Sequence, residues 1–413
     1  MRRSRFLTFL AAALAIGLLA GCGSGGGSGS SGGTKTLTWF MWSGSDVEKN
    51  AWLHVGDLVT QKYPNIKIKF ETTPFNDFWT KLTTEAASGS APCIVGLQGE
   101  RAPQYGELLV PLDDFMSSNG IKASDYVPSI TKGLQYKGKQ VALPYDVGPF
   151  VIFYNKDAFK AAGLTEPAIG WTTDDFLADA QKLTKPPKYG FWAQSDIGDL
   201  LPFVLSDSGQ SALNAGGQLD VNNAAWQKSA QFYSDLVSKE KVAAQIPSAN
   251  SSTSAANQFL NGNAYMSQDG PWDLINAREQ AKFSVGIAPM PAGASGSKTW
   301  SDGSGFGVTR DCKDQDDAFK AVSVMVGADA ENYLGNLGRA YPALISAQDS
   351  WYTGNKTQDV KPVMDYSLQN SVPFATTAKW QQVVTAFAKQ AVATYNGQGT
   401  VNDLLSQAQA QGG

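Results

Sequence analysis

The sequence predicts an α/β protein with room for two separate cores, and three observations support this. Strand and helix patterns alternate through the first hundred residues. The 413 residues, 42% hydrophobic and 17% charged, are enough for two lobes that each bury an apolar interior. Residues 138–163 read as strand, break, strand and helix, the pattern of a chain crossing from one part of a fold to another.

The N-terminus reads as an export signal. Arg2, Arg3 and Arg5 precede an apolar run from Phe6 to Leu19, and Leu19-Ala20-Gly21-Cys22 has the small-residue pattern of a bacterial lipobox. The apolar run is shorter than the roughly 20 residues that span a bilayer. Residues 1–21 are therefore expected to be a lipoprotein signal peptide, with Cys22 acylated through sulfur (palmitate) at the mature N-terminus; ordinary secretion with a free Cys22 is the alternative. Arg2-Arg3 hints at twin-arginine export, but the following residues are displaced from that motif, which favours the general secretion route. Residues 22–33 form a Gly/Ser tether with a reach of about 20 Å. Such a tether after a lipobox does not suit a cytoplasmic enzyme.

Residues 36–43 read as a strand, and 47–62 as a helix with Val47, Ala51, Val55, Leu58 and Val59 at helical spacing. Ile66, Ile68 and Phe70 alternate as a strand before Pro74, residues 78–87 are helical, and 91–97 form a third strand. This is a right-handed parallel unit, whose ligands bind outside the carboxyl ends of the strands, here the loops 42–46, 72–77 and 98–101. In the central segment a strand ends at Leu143, Pro144 breaks it, and a buried strand follows over 149–154. Asn155 then caps a helix that Gly163 ends. Beyond it, Thr172 or Thr173 caps a helix to Leu183, residues 188–192 read as a strand, and helices follow near Leu200, over 224–240 and up to 257–261. A strand over 264–267 precedes Gly270-Pro271-Trp272, which opens a helix with proline in its first turn. Strands are expected over 283–287 and 300–308, and helices over 317–327, 330–337, 360–369, 378–395 and 401–409.

A net charge of −4 offers no basic stripe for nucleic acid. The one histidine, His54, sits mid-helix without a G-x-S-x-G elbow and reads as a surface residue rather than a catalytic base. Metal sites built on His and Cys are excluded by supply. Residues 311–317 are acidic but lack the glycine and distal glutamate of a calcium loop; helix N-terminal charge explains them. Gly303-x-Gly305-x-Gly307 opens no helix and reads as a close-packed strand. Most of the 11 tryptophans read as core; those near strand ends have the flat ring that stacks on a pyranose.

Several motifs, in order, carry a family resemblance. They are Gly138-Lys-x-x-x-x-Pro144, Phe153-Tyr-Asn-Lys-Asp-x-Phe-x-x-Ala-Gly-Leu, Trp171-Thr-Thr-Asp-Asp-Phe, Phe259-Leu-Asn-Gly-Asn-Ala-Tyr-Met, Gly270-Pro-Trp and Gly303-Ser-Gly-Phe-Gly-Val. Together they resemble family 1 of the extracellular solute-binding proteins of ABC sugar importers, the group that includes maltose-binding protein. The resemblance covers nearly the whole chain after residue 34. It implies a type II periplasmic-binding-protein-like α/β fold, with a ligand cleft between two lobes and hinge crossings near 144–148 and 300–307. Lobe one would comprise 34–145 plus 304–345, and lobe two 146–303 plus 346–413. The function it implies is capture of a mono- or oligosaccharide by lobe closure and delivery to a membrane permease. That activity needs no catalysis and no cofactor. Oligomeric state is left open, with nothing in the sequence suggesting more than a monomer, and the export signal and lipobox place the protein outside the cytoplasm, touching the membrane only through its lipid.

A sugar cleft needs aromatic platforms and planar hydrogen-bonding groups from both lobes. Trp42, Gln98, Glu100 and Arg101 are the strand-end candidates of lobe one. The crossings offer Tyr145, Asp146, Trp300 and Asp302, and lobe two offers Trp192, Asp269 and Trp272. By resemblance, Trp272 matches the family's sugar-stacking tryptophan, and Arg339, Tyr341 and Phe374 join the cleft. Cys93 and Cys312 are expected to pair, since the resemblance makes their strands antiparallel neighbours and exported cysteines tend to pair. Two departures stand out: Gly148 replaces a carboxylate that maltose-binding protein presents after the hinge proline, and the loop after the third strand reads Gln-Gly-Glu-Arg. Rival readings are the same fold with glycerol phosphate or an amino sugar, a glycoside hydrolase using Glu100 and Asp302, and a cell-surface adhesin.

Overall fold

The computed structural model describes residues 33–247 and 255–412. The expected signal peptide, Cys22 and nearly all of the tether lie outside the described residues. Strand β1 (Lys35–Trp42), helix Asp46–Lys62, β2 (Ile66–Thr73), helix Phe75–Ala87 and β3 (Ile94–Gln98) follow in order. β1 runs parallel to both β2 and β3, as the alternating pattern requires. Helix Asp46–Lys62 starts where the Ser45 hydroxyl accepts the Glu48 N–H, at 3.2 Å, and it turns Ala51, Trp52, Val55 and Val59 to the sheet. Val47, expected on that stripe, is 77% exposed, because the buried face begins one turn later. Helix Phe75–Ala87 begins three residues before the expected start. Pro74 precedes its first turn, where a missing N–H costs nothing.

The central segment contains a hairpin, β4 (Gln135–Tyr136) with β5 (Lys139–Gln140), followed by β6 (Leu143–Pro144), β7 (Gly148–Pro149) and β8 (Val151–Asn155). Pro144 continues the strand instead of breaking it; β6 is the edge of the first sheet, where a residue without N–H is tolerated. The Asn155 side chain accepts the Ala158 N–H to start helix Lys156–Ala161, and Gly163 follows at φ +66°. The remaining strands are β9 (Met266–Asp269), β10 (Val285–Ala288), β11 (Thr299–Asp302), β12 (Ser304–Val308) and β13 (Ser371–Pro373).

Three sheets organise the molecule. The first has the order β2-β1-β3-β12-β6, the second β10-β8-β9, and the third, a small one at the crossings, β13-β11-β7. β8 lies between two cores: Val151 and Phe153 join the one built around Trp39, Trp52, Phe78 and Phe306. Phe150, Ile152 and Tyr154 join the other, built on Phe176, Phe203, Trp226, Tyr233 and Phe387. The strand is buried on both faces as expected, although its sheet is antiparallel. The glycines of β12 and its approach permit a close crossing: a Cβ on Gly303 would lie 2.2 Å from the Asp146 carbonyl oxygen, and one on Gly305 2.4 Å from that of Leu143.

Helices Thr173–Leu183, Ile197–Ser208, Ala224–Ser238, Ala255–Leu260 and Pro271–Gln280 lie close to their expected positions, the first held by a Thr172–Asp175 capping box. So do Gln315–Met325, Ala328–Asn336, Lys361–Gln369, Trp380–Tyr395 and Val401–Gln411. Residues 188–192 form no strand: Tyr189 bridges Ala264 and Phe191 bridges Ala243, two diverging segments that each support one pairing. Helix Gln348–Asn355 escaped the sequence reading because its buried residues, Trp351 and Tyr352, are adjacent and give no helical period. Among the described residues no helix is long and apolar enough to cross a membrane.

A disulfide joins Cys93, before β3, to Cys312, after the antiparallel β12, with Cα atoms 4.5 Å apart. It closes a separation of 219 residues, so its loss frees a large loop in the unfolded chain. Replacing both cysteines by alanine should lower stability by about 2–5 kcal/mol, read as an earlier thermal transition insensitive to reductant. An unchanged transition would show that strand pairing alone holds this edge.

Candidate functional site

The crossings, the carboxyl ends of β1 and β3, and the start of helix Pro271–Gln280 converge on a cavity of about 530 Å³. Ten of the sequence-derived candidates line it: Trp42, Gln98, Glu100, Tyr145, Asp146, Trp272, Trp300, Asp302, Arg339 and Phe374. The wall does not include Trp192 or Asp269. Trp192 is half-buried, its backbone N–H donating to Met266, and the Asp269 carboxylate turns back to accept the Gly270 N–H at 2.8 Å. Tyr341 lies behind the wall, its hydroxyl 2.9 Å from that of Tyr352.

Stacked rings form one side of the cavity. Trp272 lies over Phe150 with centroids 6.4 Å apart, Phe150 over Trp300 at 4.5 Å, and Trp300 over Phe374 at 4.7 Å, all within 22° of parallel. The Trp300 indole N–H donates to the Gly198 carbonyl at 2.8 Å, which fixes the middle of the column. Trp272 is 39% exposed and offers the free face. The missing carboxylate at Gly148 has a steric reason: a Cβ there would lie 2.8 Å from both Pro271 and the Trp272 ring. Trp42, the last residue of β1, also lines the cavity, edge-on to Phe75 at 5.4 Å.

The polar groups are mainly carboxyls. Arg339 pairs with Glu48 and lies 5.0 Å from the Trp52 ring. Asp146 accepts the Ser304 N–H between the two crossings; burial pushes its pKa up to about 7, against the opposing pull of Arg339. Burial also raises Asp302, and neighbouring Glu100 adds to the effect. Glu100 is raised by burial and lowered by Arg101, whose Nε sits 3.3 Å away. Sequence reasoning missed Glu48, Phe75, Phe150 and Ser304. Glu48 reads as an ordinary first-turn acid, and the two phenylalanines carry the same signal as core residues.

The native state holds the Asp146 proton more tightly than the unfolded chain does. Its contribution, roughly 4 kcal/mol at most, is complete below pH 4 and fades as pH rises through about 7. Asp146→Asn, neutral at every pH, should therefore unfold at a higher temperature than the parent at pH 8 and at nearly the same temperature at pH 4.5. Equal destabilisation at both values, by thermal denaturation, would remove this account.

Comparison with known proteins gives this cavity a context. The profile of the family described as "Bacterial extracellular solute-binding protein" matches residues 22–332. A putative binding protein of Brucella abortus is 23% identical over 376 residues, covering 84% of this chain and 85% of that protein. The arabinooligosaccharide-binding protein of Bacillus subtilis is 25% identical over 305 residues, covering 69% and 67%. Among solved structures, an ABC substrate-binding protein of Listeria monocytogenes in complex with cycloalternan superposes with a TM-score of 0.81 at 23% identity, covering 91% of this chain and 97% of that one. With the two-lobe fold, the cavity at its crossings and the profile match in agreement, this chain belongs to the bacterial extracellular solute-binding proteins.

Proposed function

We propose that this protein captures a mono- or oligosaccharide between its lobes and delivers it to the permease of an ABC importer, held at the outer face of the membrane by a lipid on Cys22. The stacked column ending in the free face of Trp272 carries the reading, because a flat indole beside buried carboxyls suits the apolar face and hydroxyl rim of a sugar ring. The names of the relatives agree in kind: arabinooligosaccharide in one, cycloalternan in another. Binding is by population shift, in which a ligand touching both lobes stabilises the closed arrangement by its differential affinity.

The rival readings fit the cavity less well. A phosphate ester needs free cationic donors, yet Arg339 is committed to Glu48, and Arg101 to Glu100. A hydrolase needs two carboxyls on either side of a scissile bond. Here the Asp302 carboxylate lies against the backbone of Gly99 and Glu100, so Glu100 and Asp302 share one wall.

A saccharide at about 100 times its dissociation constant should add roughly 2.7 kcal/mol, a rise of about 3 °C for a chain of this size. Trp272→Ala should weaken binding at least tenfold, about 1.4 kcal/mol, without unfolding a half-exposed position. A thermal shift with glycerol 3-phosphate and with no sugar would replace this reading. Membrane attachment has its own test: Cys22→Ser should move the exported protein from the membrane fraction to the soluble one, and retention at the membrane would count against the lipid.

A further inference from the structure

We propose that capture of the saccharide is coupled to uptake of a proton from solvent, and that Glu100 receives it. This rests on the sugar-binding reading of the cavity. A neutral saccharide brings no titratable group, so a proton taken up on binding must reside on the protein.

Glu100 stands where carboxyls of the two cores meet. It follows β3 of the first sheet, and the Thr376 hydroxyl, from the segment before helix Trp380–Tyr395 of the second core, donates to its carbonyl. Asp302 arrives from the end of β11: a Cβ on Gly99 would collide with its carboxylate, which lies against the backbone N–H groups of Glu100 and Gly303. Asp196 caps helix Ile197–Ser208 of the second core, accepting the Gly198 N–H at 2.7 Å, and its charge acts on Glu100. The backbone N–H groups at Asp302 and Asp196 favour their ionised forms. The opposing group at Glu100 is Arg101, whose Nε sits 3.3 Å away and whose guanidinium also lies 4.9 Å from the Trp79 ring. A proton on Glu100 therefore relieves repulsion from both sides.

The surrounding charges do not supply that relief. Asp199, 4% exposed, lies behind Asp196 and accepts the Gln194 amide at 2.9 Å, with the phenols of Tyr233 and Tyr395 beyond these two carboxyls. On the crossing side Asp146 adds its charge to that felt by Asp302, while Arg339 acts on Asp146 and is paired with Glu48.

The ligand provides the change. Glu100 and Asp302 line the cavity, whereas its wall does not include Asp196. A saccharide in that space displaces the water that hydrates Glu100 and screens it from its neighbours. Both effects add to the burial that already raises its pKa. Affinity is then highest at low pH and falls, by up to about tenfold per pH unit, between the pKa values of the free and the occupied site. Once protonated, Glu100 donates a hydrogen bond to a ligand oxygen.

The test is calorimetric titration of the mature chain with malto-, arabino- and xylo-oligosaccharides of one to five units. The tightest-binding member is then titrated at pH 7.4 in phosphate and in Tris, whose ionisation enthalpies differ, and from pH 6 to 8. The two heats should differ by the uptake of about 0.3–1 proton, with affinity falling about three- to tenfold across the pH range. Glu100→Gln, of the same shape and always neutral, should remove both effects. Asp196→Asn, which keeps a capping side chain and lies outside the cavity wall, should move the fall in affinity to lower pH. Equal heats in the two buffers, or uptake that survives Glu100→Gln, overturns the coupling and leaves the sugar reading; uptake lost in Asp146→Asn instead places the proton at the crossing. Should Glu100→Gln bind too weakly to measure, Asp196→Asn decides, and an unshifted profile overturns the coupling. No binding by any member overturns the sugar reading itself, and the coupling with it.

Discussion

The candidate site depends on a single steric constraint, the backbone contact between the two chain crossings. Gly303 lets β11 and β12 pass so close to Asp146 that no side chain fits between them, and Ser304 donates its N–H to the Asp146 carboxylate across the same gap. Tyr145, Asp146, Trp300 and Asp302 reach the cavity from these few residues. The groups proposed to touch a ligand are therefore attached to the segments that link the two cores. On the proposed closure, a change at the crossings would also change the site, which would couple a small solute to a large rearrangement.

Among the charged groups of the cavity wall, carboxyls outnumber bases. Glu48, Glu100, Asp146 and Asp302 line it with Arg339, itself paired. Burial raises the pKa values of Glu100, Asp146 and Asp302, which favours protonated carboxyls. A protonated carboxyl both donates and accepts, and it matches a hydroxyl, which does the same. Such a surface recognises neutral polar groups without the cost of leaving a bare charge in a dry cleft.

Much of this was legible in the sequence because local signals and tertiary demands coincide. The β1–β3 unit, the Asn155 cap, the Thr172 cap and the proline-led helix at Gly270 each follow from a few neighbouring residues. The strand-end rule and the family motifs located most of the cavity wall. Long-range geometry was not legible. Phe150 belongs to the aromatic column only because Trp272 and Trp300 arrive from elsewhere, and Glu48 matters only because Arg339 lies beside it. Trp192 misled in the opposite direction, as an aromatic near an apparent strand that the fold reduces to isolated pairings. The roles of Phe150 and Glu48 depend on partners more than a hundred positions away.

The sheet order has a consequence for how the chain is made. In β2-β1-β3-β12-β6, the strand beside β3 is β12, and between the two in sequence lie the whole second sheet and most of the second core. A polypeptide threaded through a membrane N-terminus first would present β1, β2 and β3 long before β12 arrives to cover the β3 edge. During that interval Leu97 and its neighbours have an open edge, a state prone to mispairing. The late segment 304–312 thus covers the β3 edge with both a strand and a disulfide, and a chain truncated before it would leave that edge open although the first sheet begins the sequence.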